Sequence, residues 1–402
     1  MGKSFNPEQT KIRDSNQRKI LHLLIKRREL SKQQISEETG ISIPTVTHNI
    51  ERLRDDGFVE EAGVSASTGG RRPIITRFLP ESRFAFGVDF ASNHLTSSNK
   101  IRTILVDLDA RIHKELSFNY NEFENVDEII KHISIAIQKL LVERGISTDR
   151  VLGIGISLPG TVNEKKKVLE LAPNLAPELG MHDLNFKKYE QFFPFPLYVE
   201  NEANAAAYAE LILGIAQQKR NLVYLSVNRG IGAGIVVRGH IYKGNNKRAG
   251  AVGHLAIPDK GICCTCGMID CWEIYAASGA LIRNYNEKSE TKIEDTKEFL
   301  WRLRSKDSLA LQIWEQYLDH LALGISNILM CYDPHYIIIG GEISEFGNLI
   351  IEPLQNRIFE RNTFFKRQDV EILLSMLKEN SSLMGAALLP FQKLLYGNNK
   401  II

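Results

Sequence analysis

The chain has 402 residues, 43% of them hydrophobic and 24% charged, the composition of a globular protein too long for one ordinary core, so two or three domains are expected. No apolar run reaches the roughly 20 residues that a membrane span needs, and the start, Met1-Gly-Lys-Ser-Phe-Asn-Pro-Glu8, lacks the apolar core of a secretory signal, so no membrane role and a cytoplasmic location are expected. The net charge of +2 conceals a mild asymmetry: residues 1–80 hold 14 Lys/Arg against 10 Asp/Glu and the remainder 36 against 38. Charge this weak establishes no nucleic-acid partner without a local pattern.

That pattern begins at once. From Asn16 to Lys26, Ile20, Leu21, Leu23 and Leu24 fall on one helical stripe. Ser31-Lys-Gln-Gln34 predicts a capping box, and the helix it opens ends at Thr39-Gly40. Ser42 is expected to cap a third helix, with Pro44 in its first turn and Gly57 just past its end. Val46, Ile50 and Leu53 form the buried face of that helix; Thr45, His48 and Arg52 lie opposite, with Thr47 and Asn49 at the flanks. Phe58-Val-Glu-Glu and Pro73-Ile-Ile-Thr-Arg-Phe alternate like two strands of a hairpin. Between them, Ser67-Thr-Gly-Gly-Arg71-Arg72-Pro73 carries two arginines on a glycine-rich tip, suited to phosphates or a narrow minor groove. Together these elements predict a winged helix-turn-helix over residues 1–80, its third helix entering the major groove of double-stranded operator DNA. The candidate DNA-contacting residues on that helix are Ser42, Thr45, Thr47, His48, Asn49 and Arg52; Arg71 and Arg72 would add mainly affinity and salt dependence.

Beyond a short linker at 78–83 the chain repeats itself crudely. Ala85-Phe-Gly-Val-Asp-Phe opens one half, with strands at 101–107 and 112–118, a helix at 126–143, then Val151-Leu-Gly-Ile-Gly-Ile. Asn221-Leu-Val-Tyr-Leu-Ser-Val opens the other, with a glycine turn, two strands, helices to about Cys331, then Tyr336-Ile-Ile-Ile-Gly-Gly. Strands that arrive as a meander and then alternate with helices predict mixed α/β sheets under helical layers, with a ligand cleft between the halves.

The densest chemistry lies in the second half. Four of the five cysteines fall at 263, 264, 266 and 271, nine residues and more after His254. Clustered thiols with no export signal fit a reducing compartment and a metal rather than disulfides. A closed Cys₃His shell is the donor set of structural Zn²⁺, so His254, Cys264, Cys266 and Cys271 are the expected ligands. Cys263, whose side chain points away from its neighbour's, is a bystander.

Gly-His followed by Cys-x-Cys-Gly-x-x-x-Cys-x-Glu resembles the zinc motif of the ROK family (repressors, open reading frames, kinases), whose members are sugar kinases or sugar-responsive transcription factors. The resemblance covers nearly the whole chain, and the Gly-Gly-Arg-Arg-Pro wing is similar to that of the family's repressors. It implies a duplicated ribonuclease-H-like domain of actin and hexokinase type over residues 81–402, in two lobes, roughly 81–200 with the C-terminal helix and 201–390. It also implies a saccharide effector in the cleft. The residues implied for it are Gly160 in the turn Leu158-Pro-Gly, Asn174 in Ala172-Pro-Asn-Leu, Asn201 and Glu202 at the start of a helix, and His254 and Glu273, both held in place by the metal loop. Amide and carboxylate groups of this kind suit a polyol, because each makes two directed hydrogen bonds.

Where the family's kinases read Asp-x-Gly-Gly-Thr, this chain has Asp89-Phe-Ala91-Ser92-Asn93. Where their second phosphate loop reads Gly-Thr-Gly-Ile-Gly-Gly-Gly, it has Asn228-Arg229-Gly230-Ile231-Gly232-Ala233-Gly234. Their catalytic aspartate matches Glu202, whose extra methylene displaces the carboxylate. Three departures in one apparatus predict a protein that is not an enzyme, and Asn201-Glu-Ala-Asn204 is similar to the xylose repressors of the family. The alternative is an ATP-dependent sugar kinase with an appended DNA-binding domain. A fourth departure concerns the ligand: Ala251 stands where the family's Gly-Glu-x-Gly-His has its glutamate. That opens space for a di- or oligosaccharide, or else removes sugar binding. A homodimer on a palindromic operator is expected; control by a protein partner instead of a sugar stays open.

Overall fold

The N-terminal unit forms the three expected helices, and the capping box at Ser31 is realised. Helix α1 (Ser15–Arg27) buries Ile20, Leu21 and Leu24. A strand β1 (Glu29–Ser31) runs straight into α2 (Lys32–Thr39), with Ser31 accepting from the Gln34 amide at 3.2 Å while the Gln34 side chain accepts from the Ser31 amide at 2.8 Å. Helix α3 (Ile43–Asp55) turns Val46, Ile50 and Leu53 inward, and β2 (Val59–Val64) pairs antiparallel with β3 (Ile74–Phe78). The expected two-stranded hairpin is in fact three-stranded, in the order β1-β3-β2; β1 was illegible because three residues carry no period. The structure is a computed structural model that describes residues 15–64, 74–90, 100–119, 122–172, 183–360, 364–397 and 401.

The first lobe contains β4 (Phe84–Asp89), β5 (Lys100–Asp107), β6 (Ile112–Asn119), α4 (Val126–Arg144), β7 (Val151–Leu158), a small sheet of β8 (Thr161–Asn163), β9 (Val168–Leu171) and β10 (Leu184–Asn185), then β11 (Leu197–Asn201) and α5 (Glu202–Ile212). The second contains β12 (Leu222–Val227), β13 (Ile231–Val237), β14 (His240–Ile241), α6 (Trp272–Ala276), α7 (Ser278–Lys288), α8 (Thr296–Arg304), α9 (Ser308–Tyr332), β15 (Tyr336–Gly340), α10 (Asn348–Phe359), β16 (Glu371–Leu374), α11 (Ser381–Leu388) and α12 (Phe391–Tyr396). The main sheets run β11-β7-β4-β5-β6 and β14-β13-β12-β15-β16. In each, the first three strands form an antiparallel meander and the last two join in parallel. The crude sequence repeat is thus a repeat of topology.

Each half lends a helix to the other: α5 lies on β12 and β13, and α11 lies on β4 and β7. The two helices cross at van der Waals contact, and a Cβ at Gly385 would lie 1.9 Å from the Ala205 carbonyl oxygen, so only glycine fits there. Buried Glu210, near the end of α5, accepts from Ser375 Oγ at 2.5 Å and from the Leu377 amide at 3.0 Å, fixing the approach to α11. One apolar cluster then continues from α11 and α12 (Leu383, Leu388, Phe391, Leu394) into α1 and α3 (Leu21, Leu24, Ile50). No helix among the described residues is long and apolar enough to cross a membrane.

Candidate functional site

Ser42, just before α3, and His48 and Arg52 on it are exposed and Thr45 and Thr47 half-buried, while Val46, Ile50 and Leu53 are buried. Ser42 occupies the N-cap position, but its hydroxyl meets the Thr45 hydroxyl at 2.9 Å and caps no backbone amide. Asn49 departs from expectation: it is only 1% exposed, and its amide donates to the Thr45 carbonyl at 2.8 Å. It braces the helix from within rather than facing outward. Arg71 and Arg72 lie outside the described residues, as does Asn174.

Between the lobes lies a cleft of about 400 Å³. Gly160, Asn201, Glu202, His254 and Glu273 all line it. Asn201 is the N-cap of α5, accepting from the amides of Ala203 and Asn204 at 3.0 and 3.1 Å and donating to the Gly160 carbonyl at 2.8 Å, which ties the β7–β8 turn to the helix. The opposite wall is set by Gly250. With φ at +96° and a hypothetical Cβ 2.0 Å from the Ala233 carbonyl oxygen, this glycine lets the loop lie flat on β13. Ala251 therefore does line the cleft, where a longer side chain would project into it.

Glu202 is half-buried beside fully buried Asp89. Desolvation, then the Asp89 charge, push its carboxyl up to about 8, and a hydrogen bond from Ser226 works in the opposite direction. Asn204, quoted with its motif but not among the expected saccharide contacts, also lines the cleft, 5% exposed. Its Nδ2 donates to Glu200 at 3.1 Å, while its Oδ1 has no partner among the described residues. A buried acceptor of that kind is satisfied by a ligand hydroxyl or a water. Equally absent from the expected set were Arg229, Lys247 and Arg248, which bring positive charge to the lining. Ion pairs join the lobes beside it: Lys243 meets buried Glu200 at 2.6 Å, and Lys247 meets Glu164 at 3.0 Å.

His254, Cys264, Cys266 and Cys271 bring their ligand atoms within 4.8 Å of one another. The Cys266 and Cys271 sulfurs are 3.5 Å apart, and Cys264 Sγ is 3.8 Å from His254 Nδ1. Tetrahedral Zn²⁺ with bonds of about 2.3 Å sets its ligand atoms roughly 3.8 Å apart, so the cluster fits a four-coordinate divalent cation in size and donor type. Cys263 is exposed and outside the cluster. The loop is braced by Asp270, whose carboxylate accepts from the Ile262 amide at 2.9 Å, the Asp259 amide at 3.2 Å and the Tyr275 hydroxyl. Burial pushes the Cys271 thiol well above its ordinary value, a direction that a bound cation reverses. Cys264 Sγ lies 3.4 Å from Glu273 Oε1, so the cluster touches both cleft residues that the sequence tied to it.

The chain is 29% identical to the xylose repressor of Bacillus spizizenii over 380 residues, covering 94% of this chain and 95% of that protein. It is 25% identical to the DNA-binding transcriptional dual regulator NagC of Escherichia coli, covering 94% and 92%. Among solved structures, a ROK family transcriptional regulator described as a homolog of the E. coli MLC protein superposes with a TM-score of 0.75 at 21% identity, covering 96% of this chain and 97% of that one. A ROK family glucokinase from Streptomyces griseus, solved with glucose and AMPPNP, superposes with a TM-score of 0.64 at 25% identity, covering 76% and 98%. Residues 13–60 match the model of a winged helix-turn-helix DNA-binding unit. With the ROK family model matching residues 97–393, over the two lobes and the cysteine loop just described, the chain belongs to the ROK family.

Proposed function

We propose that this protein is a saccharide-responsive transcriptional repressor of a carbohydrate uptake or utilisation operon and transfers no phosphoryl group. The observation that carries this reading is the placement of α5. Its first turn supplies Asn201, Glu202 and Asn204 to the cleft, and its body crosses α11 within reach of the apolar cluster that holds α1 and α3. A ligand that draws the lobes together shifts α5 against α11 and so tilts the winged helix. Such coupling requires different saccharide affinities in the DNA-competent and DNA-incompetent arrangements.

Residues 1–80 form the DNA-binding unit and 81–402 the two-lobed effector domain. Ser42, Thr45, Thr47, His48 and Arg52 read base edges or position the helix, and Arg71 and Arg72 contribute phosphate contacts. The protein binds as a homodimer on two-fold-related half-sites. Gly160, Asn174, Asn201, Glu202, His254 and Glu273 contact the saccharide, with room beside Ala251 for a second ring. Structural zinc held by His254, Cys264, Cys266 and Cys271 would fix the loop that orients His254 and Glu273, as outer-shell groups do at metal sites.

Phosphoryl transfer is disfavoured by the chemistry on the β12–β13 turn and at α5. Arg229 replaces the small hydroxyl of the kinases' loop, and Glu202 carries its carboxylate one methylene further out than the aspartate of the kinases. The deciding experiment is fluorescence anisotropy of a labelled duplex from the gene's own upstream region, titrated with the protein and then with mono- and oligosaccharides. A saccharide-dependent change in DNA affinity, with no ATP consumption in a coupled assay on the same saccharide, is expected. Turnover of ATP with that saccharide would overturn the reading.

A further inference from the structure

We propose that Ile43, at the start of the recognition helix, reads a thymine methyl group in the major groove, so that an operator half-site carries an A·T pair beneath it. The inference rests on the DNA-binding reading above and adds a specificity-determining residue to it. Ile43 is the first residue of α3 and is 50% exposed. Among the described residues of the DNA-binding unit, Ile43 and Ile74 are the only exposed large hydrophobic side chains. Ile74 opens β3, so the unit's uncovered hydrocarbon lies on its recognition helix and at the base of its wing strand.

By spacing alone Ile43 belongs to the buried face, three residues before Val46 and seven before Ile50. It stays open because α3 runs one turn past the core that covers Val46, Ile50 and Leu53. Side chains on a helix lean toward its N-terminus, so a residue of the first turn reaches beyond the helix end. That end is the part of a recognition helix that meets base edges.

The surroundings of Ile43 favour apolar readout. Ser42 and Pro44 beside it are exposed, and the Ser42 and Thr45 hydroxyls meet each other at 2.9 Å. Asparagine is the side chain suited to adenine, but Asn49 is buried and its amide donates to the Thr45 carbonyl. Polar readout therefore falls to residues further along α3, and the first turn presents hydrocarbon. Of the groups that base pairs show in the major groove, the thymine 5-methyl is the apolar one. Contact with it takes two apolar surfaces out of water. Against a G·C pair the same side chain would cover donors and acceptors and give them no partner.

The test is fluorescence anisotropy of the full-length protein on a labelled duplex from the gene's own upstream region, with deoxyuridine replacing thymidine at one position at a time. The replacement removes the 5-methyl and keeps the base pair. At one thymine or more it is expected to weaken binding about three- to fivefold, the worth of one buried methyl, and to leave the affinity of Ile43→Ala unchanged. Ile43→Val, which keeps a branched apolar side chain, should keep the preference. Alanine is the better helix former at an exposed position, so Ile43→Ala is expected to fold, which its melting temperature checks. A parent indifferent to every replacement, or the same losses at the same positions in Ile43→Ala, would overturn the inference and leave the DNA-binding reading standing. Failure of the parent to bind any duplex from that region would overturn both.

Discussion

Cys264 sits at the junction of metal loop and cleft, 3.8 Å from His254 Nδ1 and 3.4 Å from Glu273 Oε1. Cys264→Ser should therefore lose about one equivalent of zinc per chain by atomic spectroscopy and, with it, most of the saccharide response, because closed structural shells tolerate no missing thiolate. A full saccharide response in a zinc-free variant would remove the metal from the mechanism. Glu202 makes a second prediction. Its carboxyl, ordinarily near 4.5, is raised to about 8 in the fold by burial and then by Asp89. The folded chain thus keeps a proton that the unfolded chain sheds, and the stability present below the ordinary value is lost as pH climbs toward 8. Replacing it with a neutral isostere removes that slope. Glu202→Gln should match the parent in melting temperature near pH 4 and exceed it by a few degrees at pH 8; parallel melting curves across that range would show that the carboxyl keeps its ordinary value in the fold. At this scale the sequence revealed residues whose chemistry depends on local spacing, such as the ligands between His254 and Cys271. It misled at Asn49, because burial at a helix flank is decided by what packs there. It gave no role to Lys247 and Arg248, which reach the cleft only when two lobes meet.

Among the elements, α5 and α11 bear most on function, since each serves the other half of the molecule. Their crossing depends on Gly385, where any Cβ would meet the Ala205 backbone within bonding range. Gly385→Val must force the helices apart and is expected to cost about 3 kcal/mol or more, at the upper end for overpacking because the obstacle is backbone rather than a flexible side chain. Denaturant unfolding would show this as a lower midpoint, and an unchanged midpoint would mean that the helices do not cross at contact. The long elements were legible in the sequence: β12 and β15 are near-continuous apolar runs, and α4 starts at an Asn125 cap and ends at Gly145. The short ones were not. The two-residue strands β10 and β14 and the five-residue α6 have no period to detect. They exist because neighbouring strands and the metal loop supply partners for their backbone groups.

For the molecule as a whole, the question is whether a ligand in the cleft can be felt at α3. The winged helix does not hang from a flexible tether: His22 Nε2 on α1 donates to the Leu395 carbonyl on α12 at 2.9 Å, and Arg83 stacks on Phe58 while donating to the Asp56 carbonyl at 2.8 Å. A single apolar cluster spans α1, α3, α11 and α12, so a shift of α11 moves the recognition helix as part of a packed body. Leu394, 3% exposed in that cluster, lies far along the chain from cleft and DNA face alike. Leu394→Ala should cost about 2–5 kcal/mol of stability, as large-to-small core changes do, and Leu354→Ala, in the separate core of the second lobe, should cost a similar amount. If the cluster transmits the signal, only Leu394→Ala will shrink the ratio of DNA affinities measured without and with saccharide. Each binding reaction taken alone should change much less. Equal loss of the ratio in both variants would trace the effect to general destabilisation, and an intact ratio in Leu394→Ala would mean that the lobes reach the DNA by another route, through the β3–β4 connection or through the partner subunit of a dimer.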